Sequence, residues 1–515
     1  MIRTLAALRR LLPFPWLLFI FVASAAGVKP PEVGVPAEGK SDPPITVSQD
    51  TAIPRETLIG MYRTELGERF HVEDADKLLA AHQWIERYFD AAGAADRKQA
   101  VRGLEMCGLD AGVIGRIVRL RMRWPALEGG VYYVNEKRGP LEVRYFLGVP
   151  AGYDRTKPWP LVVKLAPVNP FLVQPPPDAD AVVKIYNDWI RDELTRHSDA
   201  LVLMPLLNLD ELYGPSYAGM NNVMQPLFHA ADRVNIDPAR VYLIGHSTGG
   251  HATWNLALQY PTYFAAIAPL AGGASQDWQR LRLVNLRNVL PVVWADAKDD
   301  VVKPESSRSI VAVMRNLKLA VDYVETKNFG HAPPEMVADE RYKTMRARVR
   351  DLYPAWVTIQ SNRPDVIFNR NDWIQIWQET DPGKESRMIF RHGGGHMVVT
   401  RNSARIDARY EGNSIDLTLD NVESLRIYLN DRMVDFDKPI KVHLNKKRTI
   451  EGYAHRNIEQ MMNDQIFLGR GWRYYSAVLD IDLTDPSAAT RPSTNPSTRA
   501  TTRPSRTGKI IIGPS

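Results

Sequence analysis

The chain has 515 residues, 44% of them hydrophobic, which is enough to bury a large core and to divide into several domains. Its formal charge of +6 sits at its ends: Arg3, Arg9 and Arg10 supply three, and residues 485–515 supply a net four from five basic residues and one acidic, leaving the body at −1. Such a body offers no basic surface for nucleic acid, and a lone cysteine, Cys107, excludes an intramolecular disulfide framework.

The first residues read as a targeting segment. Arg3, Arg9 and Arg10 form a basic region, residues 11–22 an apolar one, and Ala23-Ser24-Ala25 a small-residue cleavage site. Residues 1–25 are therefore expected to be a signal peptide and the mature protein to be exported. The apolar run is short for a membrane span and is broken by Pro13 and Pro15, so no stable span is expected after cleavage; an uncleaved anchor is the alternative. Residues 26–55, rich in Pro, Gly and small residues, read as a linker. Residues 56–128 read as a helical region, in which Leu78, Ala81, Ile85, Tyr88 and Phe89 fall at helical spacing. Cys107, among Leu104, Met106 and Leu109, reads as a core residue.

From Val131 the pattern changes. Strands at 131–134 and 141–146 flank the turn-like Lys137-Arg138-Gly139-Pro140 and predict a hairpin. Strands follow at 161–165, 200–204, 241–244, 264–270, 289–295 and 320–325, with helices at 185–196, 224–234 and 248–260. This alternation predicts a parallel sheet covered on both faces. Between the strand at 241–244 and the helix at 248–260 lies Gly245-His246-Ser247-Thr248-Gly249, a G-x-S-x-G pattern. A strand meeting a helix in so few residues forces a sharp turn, and the flanking glycines let the two elements approach closely. Ser247 is then exposed at the carboxyl edge of the sheet, with a helix N-terminus aimed at developing negative charge.

Val149-Pro-Ala-Gly-Tyr-Asp154, the stretch from Ile236 to His251 and Tyr260-Pro-Thr-Tyr-Phe-Ala-Ala-Ile-Ala-Pro269 resemble the α/β-hydrolase superfamily. The branch they are most similar to comprises secreted esterases like polyhydroxybutyrate depolymerases and feruloyl esterases, which neighbour the prolyl oligopeptidase-like peptidases. The resemblance covers about residues 131–353. It implies an α/β-hydrolase catalytic domain, assigned to residues 129–353, that needs no cofactor.

A serine hydroxyl is a poor nucleophile at neutral pH; it needs a base to take its proton and a third group to orient the base. In this fold the partners follow in the order Ser, Asp/Glu, His. His251 is locked on the nucleophile's own helix, whereas His331, in Asn328-Phe-Gly-His-Ala332, follows a strand on a loop and is the expected base. Ala295-Asp296-Ala297-Lys298-Asp299-Asp300-Val301-Val302 offers three aspartates. The family's usual spacing before an apolar pair favours Asp299, with Asp300 as the alternative and Asp296 as a turn former. Backbone N–H groups of Thr248 and Val168 are the expected oxyanion donors. The second departs from the family's usual glycine-rich loop, because the strand runs into Ala166-Pro167 and proline has no N–H to give.

After Pro354 the helical pattern fades. Short strand-like runs at 356–360, 373–378, 386–390, 415–419, 424–429, 440–444 and 477–481 predict a β-rich domain over 354–484, built as a sandwich. His392-Gly-Gly-Gly-His396 follows the nucleophile, in the wrong place for an oxyanion loop, and its glycines destroy the helical spacing a two-histidine metal site needs; it reads as a hairpin or loop tip. No metal is implied elsewhere. Residues 485–515, rich in Pro, Ser and Thr, cannot bury a core and read as a disordered tail. The whole predicts an exported serine hydrolase acting on a small or polymeric ester through Ser247, His331 and Asp299. A prolyl oligopeptidase-like peptidase and a non-catalytic binding protein on the same fold are the alternatives.

Overall fold

The computed structural model describes residues 50–138, 141–167, 179–206, 217–361, 369–392 and 395–484. The predicted signal peptide, most of the linker, the tail, Val168 and the glycines at 393 and 394 lie outside them.

Four helices open the described chain: α1 (Arg55–Leu66), α2 (Ala75–Asp90), α3 (Ala94–Met106) and α4 (Ala111–Ile117). A short antiparallel pair, β1 (Asp50–Ala52) with β2 (Arg123–Pro125), brackets them. In α2 four of the five residues of the predicted stripe, Leu78, Ala81, Ile85 and Tyr88, are buried, and Phe89 packs partly buried against the same core.

The central sheet is built from β3 (Gly130–Arg138), β4 (Leu141–Val149), β5 (Trp159–Leu165), β6 (Leu201–Pro205), β7 (Ile236–His246), β8 (Ala266–Leu270), β9 (Leu290–Asp296) and β10 (Asp322–Thr326). Their spatial order is β10-β9-β8-β7-β5-β6-β4-β3. The β3–β4 hairpin and the β4–β6 pair are antiparallel, and every other neighbour is parallel. Helices cover both faces, as parallel strands require. One face carries α6 (Tyr217–Arg233), α7 (Thr248–Gln259), α8 (Asp277–Arg282) and α9 (Pro304–Asn316), whose apolar residues share a cluster with Leu161, Val163, Leu243 and Val293. The other carries α5 (Ala179–Arg196) and α10 (Glu335–Arg346), packed against Val131 and Phe146 and against Ala266 and Trp294 respectively. This is the α/β-hydrolase fold.

The β-rich region forms two sheets. One joins β11 (Trp356–Ser361), β16 (Ala404–Glu411), β17 (Ser414–Asp420), β19 (Ile440–Leu444) and β20 (Arg448–Gly452). The other joins β12 (Arg370–Asn371), β13 (Ile374–Glu379), β18 (Val422–Leu429) and β21 (Ala477–Asp482). A helix, α11 (Ile458–Leu468), precedes β21. Ile359, Ile406 and Val442 of the first sheet share a buried cluster with Ile376, Leu425 and Leu479 of the second. The same cluster takes in Leu58, Tyr62, Ile85 and Leu104 of the N-terminal helices and Trp124 of β2, so the two ends of the described chain close one core. Polar contacts reinforce that closure: Tyr88 Oη donates to Asn463 Oδ1 at 2.7 Å, and Arg470 grips Glu86 at 2.8 and 2.9 Å.

The sandwich meets the central sheet at the amino edge of the parallel strands. Arg350 is the hub there. Its guanidinium donates to the carbonyls of Phe264 and Asn288 and pairs both oxygens of Asp372 at 2.7 and 2.9 Å. The remaining β14 (Glu385–His392) and β15 (Gly395–Asn402) form a hairpin apart from both sandwich sheets, packed on α8 and α9. Of the His392–His396 run, His392 ends β14 opposite Gly395 in the register and His396 lies in β15 opposite Arg391, while the tip at 393 and 394 lies outside the described residues. Among the described residues no helix is long and apolar enough to cross a membrane.

Candidate active site

The carboxyl edge of the sheet, opposite the sandwich, gathers the predicted residues. β7 ends at His246, α7 starts at Thr248, and Ser247 alone makes the corner with φ 56° and ψ −117°. Positive φ is strained for a residue with a Cβ, and the surroundings impose it. Ser247 N–H donates to Leu270 O at 2.9 Å, and its own carbonyl accepts from His251 N–H at 3.0 Å. The glycines explain how the corner closes. A Cβ on Gly245 would overlap the carbonyl of Gly249, and one on Gly249 would press on the carbonyl of Leu165. The helix therefore rests directly on the ends of β5 and β7.

His331 Nε2 lies 2.9 Å from Ser247 Oγ, and His331 Nδ1 lies 3.0 and 3.1 Å from the two oxygens of Asp299. The side chain of Asp299 is fully buried and that of His331 is 11% exposed. Asp299 Oδ1 also accepts the backbone N–H groups of Val301 and Val302 at 3.0 and 2.9 Å, so the apolar pair after it fixes the carboxylate through its main chain. Asp300, next along, is exposed. The three residues selected from sequence thus stand in one hydrogen-bonded row, with Asp299 rather than Asp300 against the imidazole. Asp299→Asn is expected to lower turnover by about 10⁴-fold, because the amide no longer holds the tautomer that accepts the serine proton, while Asp300→Asn stays near wild type. Steady-state rates of the two variants on one ester check this.

Thr248, the first residue of α7, directly follows Ser247, where the positive end of the helix lies. Val168, named as the second donor, is outside the described residues.

Two residues at this edge escaped the sequence reading. Asp296 does form the expected turn, accepting Lys298 N–H at 2.8 Å, but it is fully buried and accepts three further bonds. Burial pushes its carboxyl up, and the hydroxyl of Thr326 with three backbone N–H groups outweighs that, holding it below the usual carboxylate range. His246, the variable residue before the serine, donates Nε2–H to the carbonyl of His331 at 2.7 Å. Burial, and then the nearby His331, push its pKa down to about 4, so it is neutral at pH 7. A buried strand's last residue being acidic was the available signal for Asp296; nothing in the spacing marks His246. His251 is held by Gly273 and does not enter the row. Among the described residues no group of three His, Cys, Asp or Glu side chains could hold a metal ion.

No family model matches the chain, and no curated protein matches it. Among solved structures it is similar to a thermostable esterase, at 21% identity and a TM-score of 0.36, over 43% of this chain and 63% of that one. It is similar also to the feruloyl esterase module from Clostridium thermocellum, at 12% identity and a TM-score of 0.31, over 43% of this chain and 87% of that one. A third is dipeptidyl peptidase 4 from Porphyromonas gingivalis, at 12% identity and a TM-score of 0.34, over 43% of this chain and 36% of that one. The aligned part thus spans less than two thirds of the thermostable esterase and about a third of the peptidase.

Proposed function

We propose that this chain, an α/β-hydrolase by fold, is an exported serine hydrolase that cleaves carboxylic esters through an acyl-enzyme. One observation carries the reading, the unbroken row Asp299–His331–Ser247 at hydrogen-bond distances, set on a strained corner at a sheet edge. His331 Nε2 takes the proton of Ser247 as Oγ attacks the carbonyl carbon of a small or polymeric ester. The oxygen that becomes negative is stabilised by the N–H of Thr248 at the start of α7, with Val168 N–H as the proposed second donor. Collapse of the tetrahedral species expels the alcohol, which leaves with the proton from His331. Water then attacks the acyl-serine, giving its proton to His331, and the acid departs as the serine is restored. Asp299 keeps Nδ1 protonated throughout and stabilises the imidazolium. No step calls for a cofactor. Export rests on the order of basic, apolar and small residues in the first 25.

Short-chain p-nitrophenyl esters assayed beside dipeptide amides test the proposal. Ester turnover that saturates, with amide turnover at least about 10²-fold lower in kcat/KM, is the expected result. Efficient amide cleavage replaces the esterase with a peptidase, and folded protein inert to both makes the fold a binding scaffold.

A further inference from the structure

We infer that Asp296 and His246 are positioning residues, which together pin the main chain of the His331 loop so that its imidazole spans Ser247 and Asp299; the inference rests on the serine-hydrolase reading. The loop has little else to hold it. After β10 ends at Thr326 the chain passes through exposed Lys327 and Asn328, and Phe329 is 51% exposed, so no apolar side chain there anchors it in the core. The anchoring is polar. Asp296 stands opposite Thr326 at the carboxyl end of the β9–β10 pair. Its Oδ2 accepts Thr326 Oγ1–H at 2.6 Å and Phe329 N–H at 3.1 Å, and its Oδ1 accepts Gly330 N–H at 3.1 Å and Lys298 N–H at 2.8 Å. One carboxylate therefore ties the loop that bears the base to the loop that bears the acid. Gly330, at φ 69°, turns the chain after those two contacts. His246 then takes the next polar group, the carbonyl of His331 itself. The N–H groups at 329 and 330 and the C=O at 331 are thus fixed in succession, from two different strands.

Bonds to an ionised acceptor are the stronger kind, and a misplacement of about 1 Å at a reacting group costs on the order of 10²-fold in rate. His246 acts through its donor, which separates a positioning role from simple filling of space. Glutamine places an amide N–H near the position of Nε2; leucine fills the volume and donates nothing. On p-nitrophenyl acetate, His246→Gln is expected within about 3-fold of wild-type kcat, and His246→Leu at least about 10-fold lower with KM unchanged. Asp296→Asn turns one acceptor oxygen into a donor facing N–H groups and is expected to lower kcat by about 10²-fold at unchanged KM.

Hydrogen exchange across residues 327–334 reads the clamp without turnover. It should quicken about 10-fold in Asp296→Asn and in His246→Leu, and stay near wild type in His246→Gln. Equal kcat in the glutamine and leucine variants, or exchange in this segment unchanged by Asp296→Asn, overturns the positioning role. An inert wild-type protein whose loop exchange still responds as stated instead overturns the serine-hydrolase reading and leaves the clamp standing.

Discussion

Ser247→Ala is expected to lower kcat on p-nitrophenyl esters by roughly 10⁴–10⁶-fold, the range set when a serine nucleophile is removed and only binding and oxyanion stabilisation remain. Alanine keeps the Cβ, so the strained corner at φ 56° is neither relieved nor worsened, and the glycine contacts that force it are untouched. The melting temperature should therefore stay within about 2 °C of wild type. Loss of rate with the fold intact is what distinguishes a nucleophile from a residue of the turn. Near-normal turnover in Ser247→Ala would mean that the ester chemistry belongs to another group.

The second large effect lies at the joint between sheet and sandwich. Asp372 is fully buried and neutralises Arg350 through both oxygens, with Arg473 3.3 Å away on the same carboxylate. Both arginines are buried too. Breaking a buried pair by removing one partner leaves an uncompensated charge in a poor solvent and costs about 3–5 kcal/mol. Here two cations lose their counter-ion. Asp372→Ala should shift urea unfolding by at least that amount, and Asp372→Asn by nearly as much, since asparagine suits the positive φ of 47° yet carries no charge. A loss below about 1 kcal/mol in both variants would show that water or a rearranged side chain replaces the carboxylate.

What was legible in the sequence was local or obeyed a fixed order. G-x-S-x-G announced itself through a β-branched run on one side and a helix on the other. His331 followed from its place on a loop after a strand, and Asp299 from the resembled family's usual spacing before an apolar pair, here the valines whose N–H groups meet its carboxylate. The roles of Asp296 and His246 were illegible because each depends on where residues 327–331 return in space. The shared core of the N-terminal helices and the sandwich was hidden for the same reason: Glu86 meets Arg470, and Tyr88 meets Asn463, across nearly the whole described chain. Strands β16 and β20 escaped because charged residues interleave their apolar ones, as in Ala404-Arg-Ile-Asp-Ala-Arg-Tyr-Glu411, where only alternate positions are buried deeply. Helix α11 was missed inside a stretch read as β-rich. Its Asn457 cap, accepting Gln460 N–H at 2.8 Å, was the available sign.

The account stands or falls on whether Ser247 is an activated nucleophile. Reaction of the folded protein with a fluorophosphonate, followed by mass analysis of its peptides, asks this without knowledge of the substrate. The expected result is one adduct per chain, on Ser247, absent from Ser247→Ala and slowed in Asp299→Asn. Folded wild-type protein that stays unmodified, or carries the adduct on a different residue, contradicts it.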